Sequence, residues 1–135
     1  SKRYNTFFTV MIADIDFFKK INDRYGHIIG DEVLAEISGI IKSKVHPGVI
    51  VSRYGGEEFA VLIGISPQQE TKDIAEGIRK AVEEHEFSGG VHLTISIGIA
   101  YRHQAENENE ILRKADGALY RAKNEGRNRV VEYIS

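Results

Sequence analysis

Val49 to Ile63 reads VIVSRYGGEEFAVLI. Two β-prone runs, 49–54 and 57–63, flank the pair Gly55-Gly56. That pattern predicts a hairpin, with the glycines supplying the positive φ that tight primed turns need. A hairpin pairs its strands antiparallel, so a doubly wound parallel sheet fits poorly. Upstream, FFTVMIA at Phe7 to Ala13 is a continuous apolar run and predicts a buried strand. Asp16 to Tyr25 is short and mixed and predicts a helical turn. Asp31 to Lys44 places Val33, Leu34, Ile37, Ile40 and Ile41 on one helix face, and Pro47-Gly48 ends it. Downstream, Thr71 to Glu84 is a helix with Ile74, Ala75, Ile78 and Val82 inward. His92 to Tyr101 alternates as a strand. Glu108 to Asn124 is a helix whose inner face holds Ile111, Leu112, Ala115, Leu119 and Ala122, with Gly126 as its C-cap. Arg129 to Ile134 is a last strand. The order β-α-α-β-β-α-β-α-β predicts an α+β fold. It is a ferredoxin-like, βαββαβ-type sandwich, with a central mixed, mainly antiparallel sheet flanked by helices.

The 135 residues suit one domain spanning 1–135. A net charge of -2 argues against a nucleic-acid binder working by bulk positive charge. An anionic ligand would need local devices instead. The absence of cysteine excludes disulfides, a thiol nucleophile and a zinc-thiolate site. No apolar run approaches the ~20 residues that span a bilayer, and no signal peptide is visible. The expectation is a cytoplasmic fragment without membrane contact, whose parent protein can still be membrane-anchored. No GxxxxGK[ST] occurs, so no triphosphate is held by a P-loop.

The chemistry-bearing residues gather at strand ends. Asp14 and Asp16 stand two apart in an extended segment, and so on one side of it. Glu57 and Glu58 follow the paired glycines directly. Crowded carboxylates repel, and a hard divalent cation removes that cost; oxygen ligands suit magnesium or manganese. The ordinary alternative is that such acids are merely solvated. A second glycine, where one suffices for a turn, leaves room for something to approach the backbone. Lys123 and Arg127 close a helix, where cations commonly serve only the dipole, and Asp31 in a first helical turn would do the same at the other end.

These residues also carry a resemblance. RYGGEEF at Arg53 to Phe59 resembles the signature of GGDEF-type nucleotide cyclase domains. DIDFFKKINDRYGHIIGDE at Asp14 to Glu32 resembles that family's metal- and guanine-binding segment. LTISIGIA at Leu93 to Ala100 and ADGALYRAKNEGRN at Ala115 to Asn128 resemble its remaining blocks. The resemblance implies a diguanylate cyclase that condenses two GTP into cyclic di-GMP plus two pyrophosphates across a homodimer, the isolated domain being largely monomeric. It implies Mg2+ or Mn2+ held by Asp14, Glu57 and the carbonyl of Ile15. Glu57 would act as base beside Glu58, and Lys19 would stabilise the transition state. Asn22 and Asp31 would read guanine, with His27 in the same segment. The amides of Phe17 and Phe18, with Lys123 and Arg127, would hold phosphates. Relatives that make mixed cyclic dinucleotides carry serine in the place of Asp31, so aspartate favours GTP. Two departures stand out. The family's opening DxLTGLxNR segment is missing ahead of Ser1. The product-inhibition motif RxxD is replaced by His46-Pro47-Gly48-Val49. The alternative is a non-catalytic GTP-binding regulatory module; a mononucleotide cyclase is a third reading.

Overall fold

The computed structural model describes residues 8–64 and 66–134. The strands are β1 (Thr9–Ile15), β2 (Ile50–Arg53), β3 (Glu58–Ile63), β4 (Ile95–Ala100) and β5 (Val130–Glu132). The helices are α1 (Phe18–Tyr25), α2 (His27–Ser43), α3 (Gln68–Glu84) and α4 (Glu108–Asn124). They alternate in the predicted order. The sheet runs β2-β3-β1-β4-β5. β1 pairs antiparallel with β3 and β4, β2 pairs antiparallel with β3, and β5 lies parallel to β4. The expected mixed, mainly antiparallel sheet is thus present, with β1 at its centre and all seven of its residues buried.

The period-2 alternation of β1 divides the core. Met11, Ala13 and Ile15 pack with Val33, Ile37, Ile41, Ile78 and Val82 of α2 and α3. Val10 and Ile12 face Ile111, Ala115 and Leu119 of α4. Each fully buried aliphatic side chain contributes roughly 1.5–3 kcal/mol. α4 packs tightly against the sheet at Gly98. A Cβ there would stand 2.2 Å from the Leu119 amide nitrogen and 2.4 Å from the Ala115 carbonyl oxygen.

The boundaries differ from expectation in informative ways. α2 begins at His27, four residues before Asp31, because Gly26 (φ 92, ψ 164) alone separates it from α1. Asp31 therefore lies beyond the first turn of α2, which contains no acid, and the dipole explanation for it weakens. β4 starts at Ile95 rather than His92, after a short 3-10 turn at Ser88–Gly90. β1 runs on to Ile15, and Phe7, the predicted start of that strand, lies outside the described residues. The hairpin is not the tight primed turn the sequence suggested. Arg53 pairs with Phe59, residues 54–57 form the connecting loop between β2 and β3, and neither Gly55 nor Gly56 has positive φ. The Tyr54 N–H closes the loop on the Glu58 carbonyl at 2.8 Å. Among the described residues, no helix is long and apolar enough to cross a membrane.

Candidate functional site

Pairing of β1 with β3 sets Asp14 opposite Glu58, and the Ile15 N–H donates to the Glu57 carbonyl at 3.3 Å. The first acid of the DxD pair and both acids of the hairpin therefore meet at one end of the sheet. Asp14 is 2% exposed. Its Oδ2 accepts from Lys123 Nζ, carried there by the last turn of α4. Among the described residues its buried Oδ1 has no hydrogen-bond partner, an arrangement that costs free energy unless something else compensates it. Burial raises the Glu57 carboxyl above its usual range; the Asp14 charge adds to this and Lys123 opposes it. Glu58 is raised in the same way, by burial, by the Asp14 charge, by a proton it can share with Asp14 only when protonated, and by Asp116. One lysine thus faces three crowded carboxylates.

These donors fit a hard divalent cation. All are oxygens, one is buried and unpartnered among the described residues, and two have proton affinities raised by burial and by the neighbouring Asp14 charge. Among the described residues no three acidic or histidine side chains form a preformed cage. Magnesium takes one or two carboxylates and completes its shell with water and substrate phosphates. A cleft of about 410 Å³ opens over this corner, lined by Phe18, Gly55, Gly56, Glu57 and Glu58. The loop glycines keep its wall at backbone height: a Cβ on Gly56 would meet nothing within 4 Å.

The N-terminus of α1 stands beside the carboxylates. Phe17 enters it in left-handed conformation (φ 59, ψ 34), no side chain caps it, and no acid lies in its first turn. The first intrahelical bond is donated by Ile21 to the Phe17 carbonyl, so the preceding amides are free to donate to an anion. The Phe17 ring is 53% exposed. The Lys20 ammonium lies 4.8 Å and the Arg127 guanidinium 4.6 Å from its centroid. Phe18 is buried. Lys19 is exposed and bonds Asp23 one turn along, at 3.2 Å; it is near the amides but is not drawn into the carboxylate cluster.

A third group lies between α1 and α2. Asn22 Oδ1 is buried and has no hydrogen-bond partner among the described residues. Gly30 of α2 faces it so closely that a Cβ would stand 1.9 Å from that oxygen. Asp31, next in the chain, is exposed, as is His27 at the helix start. A ligand that donates to both Asn22 and Asp31 would answer the orphaned carbonyl.

The sequence reading missed Asp116. Burial raises its carboxyl; its charge is the first cause of the raised Tyr54 phenol and adds to the rise at Glu58. The signal was its spacing of seven from Lys123, which puts both on one face of α4. Asp16, by contrast, takes no part in the carboxylate cluster: its oxygens accept from Thr94, Ser96 and the Asn128 amide.

The chain matches the family described as "Diguanylate cyclase, GGDEF domain" over residues 1–129. It is 43% identical over 124 residues to diguanylate cyclase DgcM of Escherichia coli K12, covering 92% of this chain and 30% of the relative. It is 45% identical over 126 residues to diguanylate cyclase A of Treponema denticola, covering 90% and 34%. The chain thus spans about a third of the length of these relatives. Among solved structures, the active GGEEF domain of a Vibrio cholerae diguanylate cyclase superposes with TM-score 0.88 at 35% identity, covering 94% of this chain and 83% of that one. The GGDEF domain of DgcB from Caulobacter crescentus, in complex with c-di-GMP, gives 0.89 at 34%, covering 96% and 80%. Sequence, fold and the meeting of the hairpin acids with Asp14 agree: the chain belongs to the GGDEF domain family.

Proposed function

We propose that this domain is the catalytic unit of a diguanylate cyclase, joining two GTP into cyclic di-GMP with release of two pyrophosphates. One observation carries the reading. The crowded carboxylates Asp14, Glu57 and Glu58, with an unpartnered oxygen, stand beside an uncapped helix N-terminus flanked by Arg127. The first half fits a divalent cation and the second fits phosphate. Asp14, Glu57 and the Ile15 carbonyl would hold Mg2+ or Mn2+. When bound, such an ion polarises the α-phosphate and lowers the pKa of the attacking hydroxyl.

The protein's own work is positioning and charge neutralisation. The amides of Phe17 and Phe18, with Lys123 and Arg127, hold the phosphates. Asn22 and Asp31 receive the guanine, with His27 at the mouth. Glu57, beside Glu58, accepts the 3′-hydroxyl proton. Lys19 offsets charge building on phosphate oxygen. In each condensation an O3′–Pα bond forms and the bond from Pα to the bridging oxygen breaks. One domain presents the hydroxyl and a second presents the phosphate, so the homodimer is part of the mechanism. The substrate places this chemistry in the cytoplasm.

Mass-resolved product analysis tests the reading. The protein is incubated at high concentration with GTP and magnesium, alone and as a forced dimer, beside Glu57→Gln. Cyclic di-GMP from the parent and none from the variant supports it. Silence from the forced dimer, with magnesium-dependent GTP binding retained, moves the assignment to a non-catalytic GTP-binding module. We also propose that 46–49 confers no product inhibition, because it offers neither an arginine fork nor a carboxylate. An ordinary inhibition curve by cyclic di-GMP would contradict that.

A further inference from the structure

The turn after α4 is unusual. Arg127 (φ 63) and Asn128 (φ 47) are consecutive non-glycine residues in left-handed conformation, which their Cβ atoms disfavour. The Arg127 N–H donates to the Ala122 carbonyl at 2.9 Å, closing the helix end. The next amide, Asn128, donates to Asp16 Oδ2 at 3.0 Å. The same carboxylate accepts from Thr94 Oγ1 at 2.6 Å and Ser96 Oγ at 2.7 Å, and the Asp16 N–H itself donates to the Thr94 carbonyl at 3.0 Å. Asp16 is 3% exposed. Its charge is therefore satisfied by donors from β4, from the segment before β4, and from the turn after α4. The Asn128 side chain is tied in turn to Glu83 at 2.8 Å and Arg79 at 2.9 Å. Glycine would adopt these backbone angles more easily, so the turn tolerates strain in order to carry side chains, and the Arg127 side chain reaches the Phe17 ring at the mouth of α1.

We infer that Asp16 is a positioning residue: its carboxylate grips the left-handed Arg127–Asn128 turn and so aims Arg127 at the phosphate-binding N-terminus of α1. The inference rests on the reading of Arg127 as a phosphate contact. It explains why a family-type DxD pair divides its labour. Asp14 faces the cation corner, while Asp16, two residues on, faces inward and holds the opposite wall of the phosphate site. A carboxylate has lone pairs enough for all three donors, and charge-assisted bonds are the stronger ones.

The test uses the whole chain with magnesium pyrophosphate and guanosine as separate probes, followed by calorimetry and amide NMR. Asp16→Asn keeps the shape and removes the charge. The expected result is a displaced Asn128 amide resonance, an affinity for pyrophosphate reduced about tenfold, and unchanged affinity for guanosine, which sits at Asn22 and Asp31. A displaced resonance with unchanged pyrophosphate affinity overturns the inference, and so does an equal loss for both probes. Should Asp16→Asn fail to fold, Thr94→Val removes one donor that orients the carboxylate; it is expected to give a smaller loss confined to pyrophosphate, and wild-type affinity overturns the inference. A wild-type chain that binds neither pyrophosphate nor GTP overturns the phosphate-site reading itself, and this inference with it.

Discussion

Lys123 Nζ donates to Asp14 Oδ2, joining the last turn of α4 to the end of β1 across 109 positions of the chain. The pair is asymmetric: the lysine side chain is 31% exposed and the aspartate 3%. Removing the lysine leaves a buried carboxylate among two others. Lys123→Met is expected to destabilise the metal-free protein by about 3 kcal/mol, the low end for breaking a buried pair, because the lysine keeps some water. Magnesium should restore more stability to the variant than it adds to the parent, since it supplies the missing charge. Denaturant melts with and without magnesium read this out. Equal magnesium effects on both proteins would show that the ion does not bind at Asp14.

Gly30 and Asn22 form a second coupled pair. A methyl group at 30 would lie 1.9 Å from Asn22 Oδ1, and the carboxamide, at the end of a short side chain, can swing aside. Gly30→Ala is therefore expected to keep the fold and lose guanosine affinity by about tenfold, the worth of one hydrogen bond of roughly 1.4 kcal/mol. Pyrophosphate affinity should not change. Calorimetry with the two probes decides; a variant that still binds guanosine as the parent does would remove Asn22 from the base site.

The site was legible in the sequence where chemistry follows chain position. Asp14, Glu57 and Glu58 sit at a strand end and a turn, and antiparallel pairing had to bring them together. What escaped depended on side-chain direction. Asp16 shares the spacing of Asp14 yet turns to Thr94, Ser96 and Asn128, because β1 ends at Ile15 and the pleat no longer dictates its course. Asp116 was hidden because its partners come from β3 and the hairpin, far away in sequence. The start of α2 was misplaced because Gly26 serves as N-cap without a side-chain bond, so the usual polar signal is missing. The hairpin itself was legible, but its turn was not. Gly55 and Gly56 serve to keep the wall of the cleft low rather than to adopt positive φ.

Glu36 of α2 provides a pH-dependent clasp on the segment leading to β4. It accepts from the Ser88 hydroxyl, from the Ser88 N–H at 3.2 Å and from His85 Nε2 at 3.0 Å. The Ser88 hydroxyl is the leading cause that lowers its carboxyl below the ordinary value; burial opposes, and His85 assists. A folded-state pKa below the unfolded one means that ionisation favours folding. The contribution is present above the ordinary carboxylate range and is lost as pH falls through the lowered folded value. Glu36→Gln should therefore flatten the acid side of the stability profile while changing the neutral side by a constant. Urea melts from neutral pH downward measure this. Parallel profiles for parent and variant would remove the clasp.

Asp31 offers the sharpest test of substrate choice. It is exposed and stands beyond the first turn of α2, so it neither packs in the core nor serves the helix dipole there. Replacing it should leave stability within about 0.5 kcal/mol of the parent. Guanine presents two donors, N1–H and an exocyclic amine, that one carboxylate can accept together; adenine has no donor at N1. A hydrogen bond to a charged group contributes roughly 1.5–3 kcal/mol, or about tenfold to a hundredfold. Asp31→Ser is expected to weaken GTP by that factor and leave ATP nearly unchanged, so the preference for GTP shrinks by the same amount. Competition binding of the two nucleotides with magnesium present reads the ratio. If both nucleotides weaken equally, Asp31 acts on the phosphates or the fold rather than on the base. If neither weakens, guanine is read elsewhere.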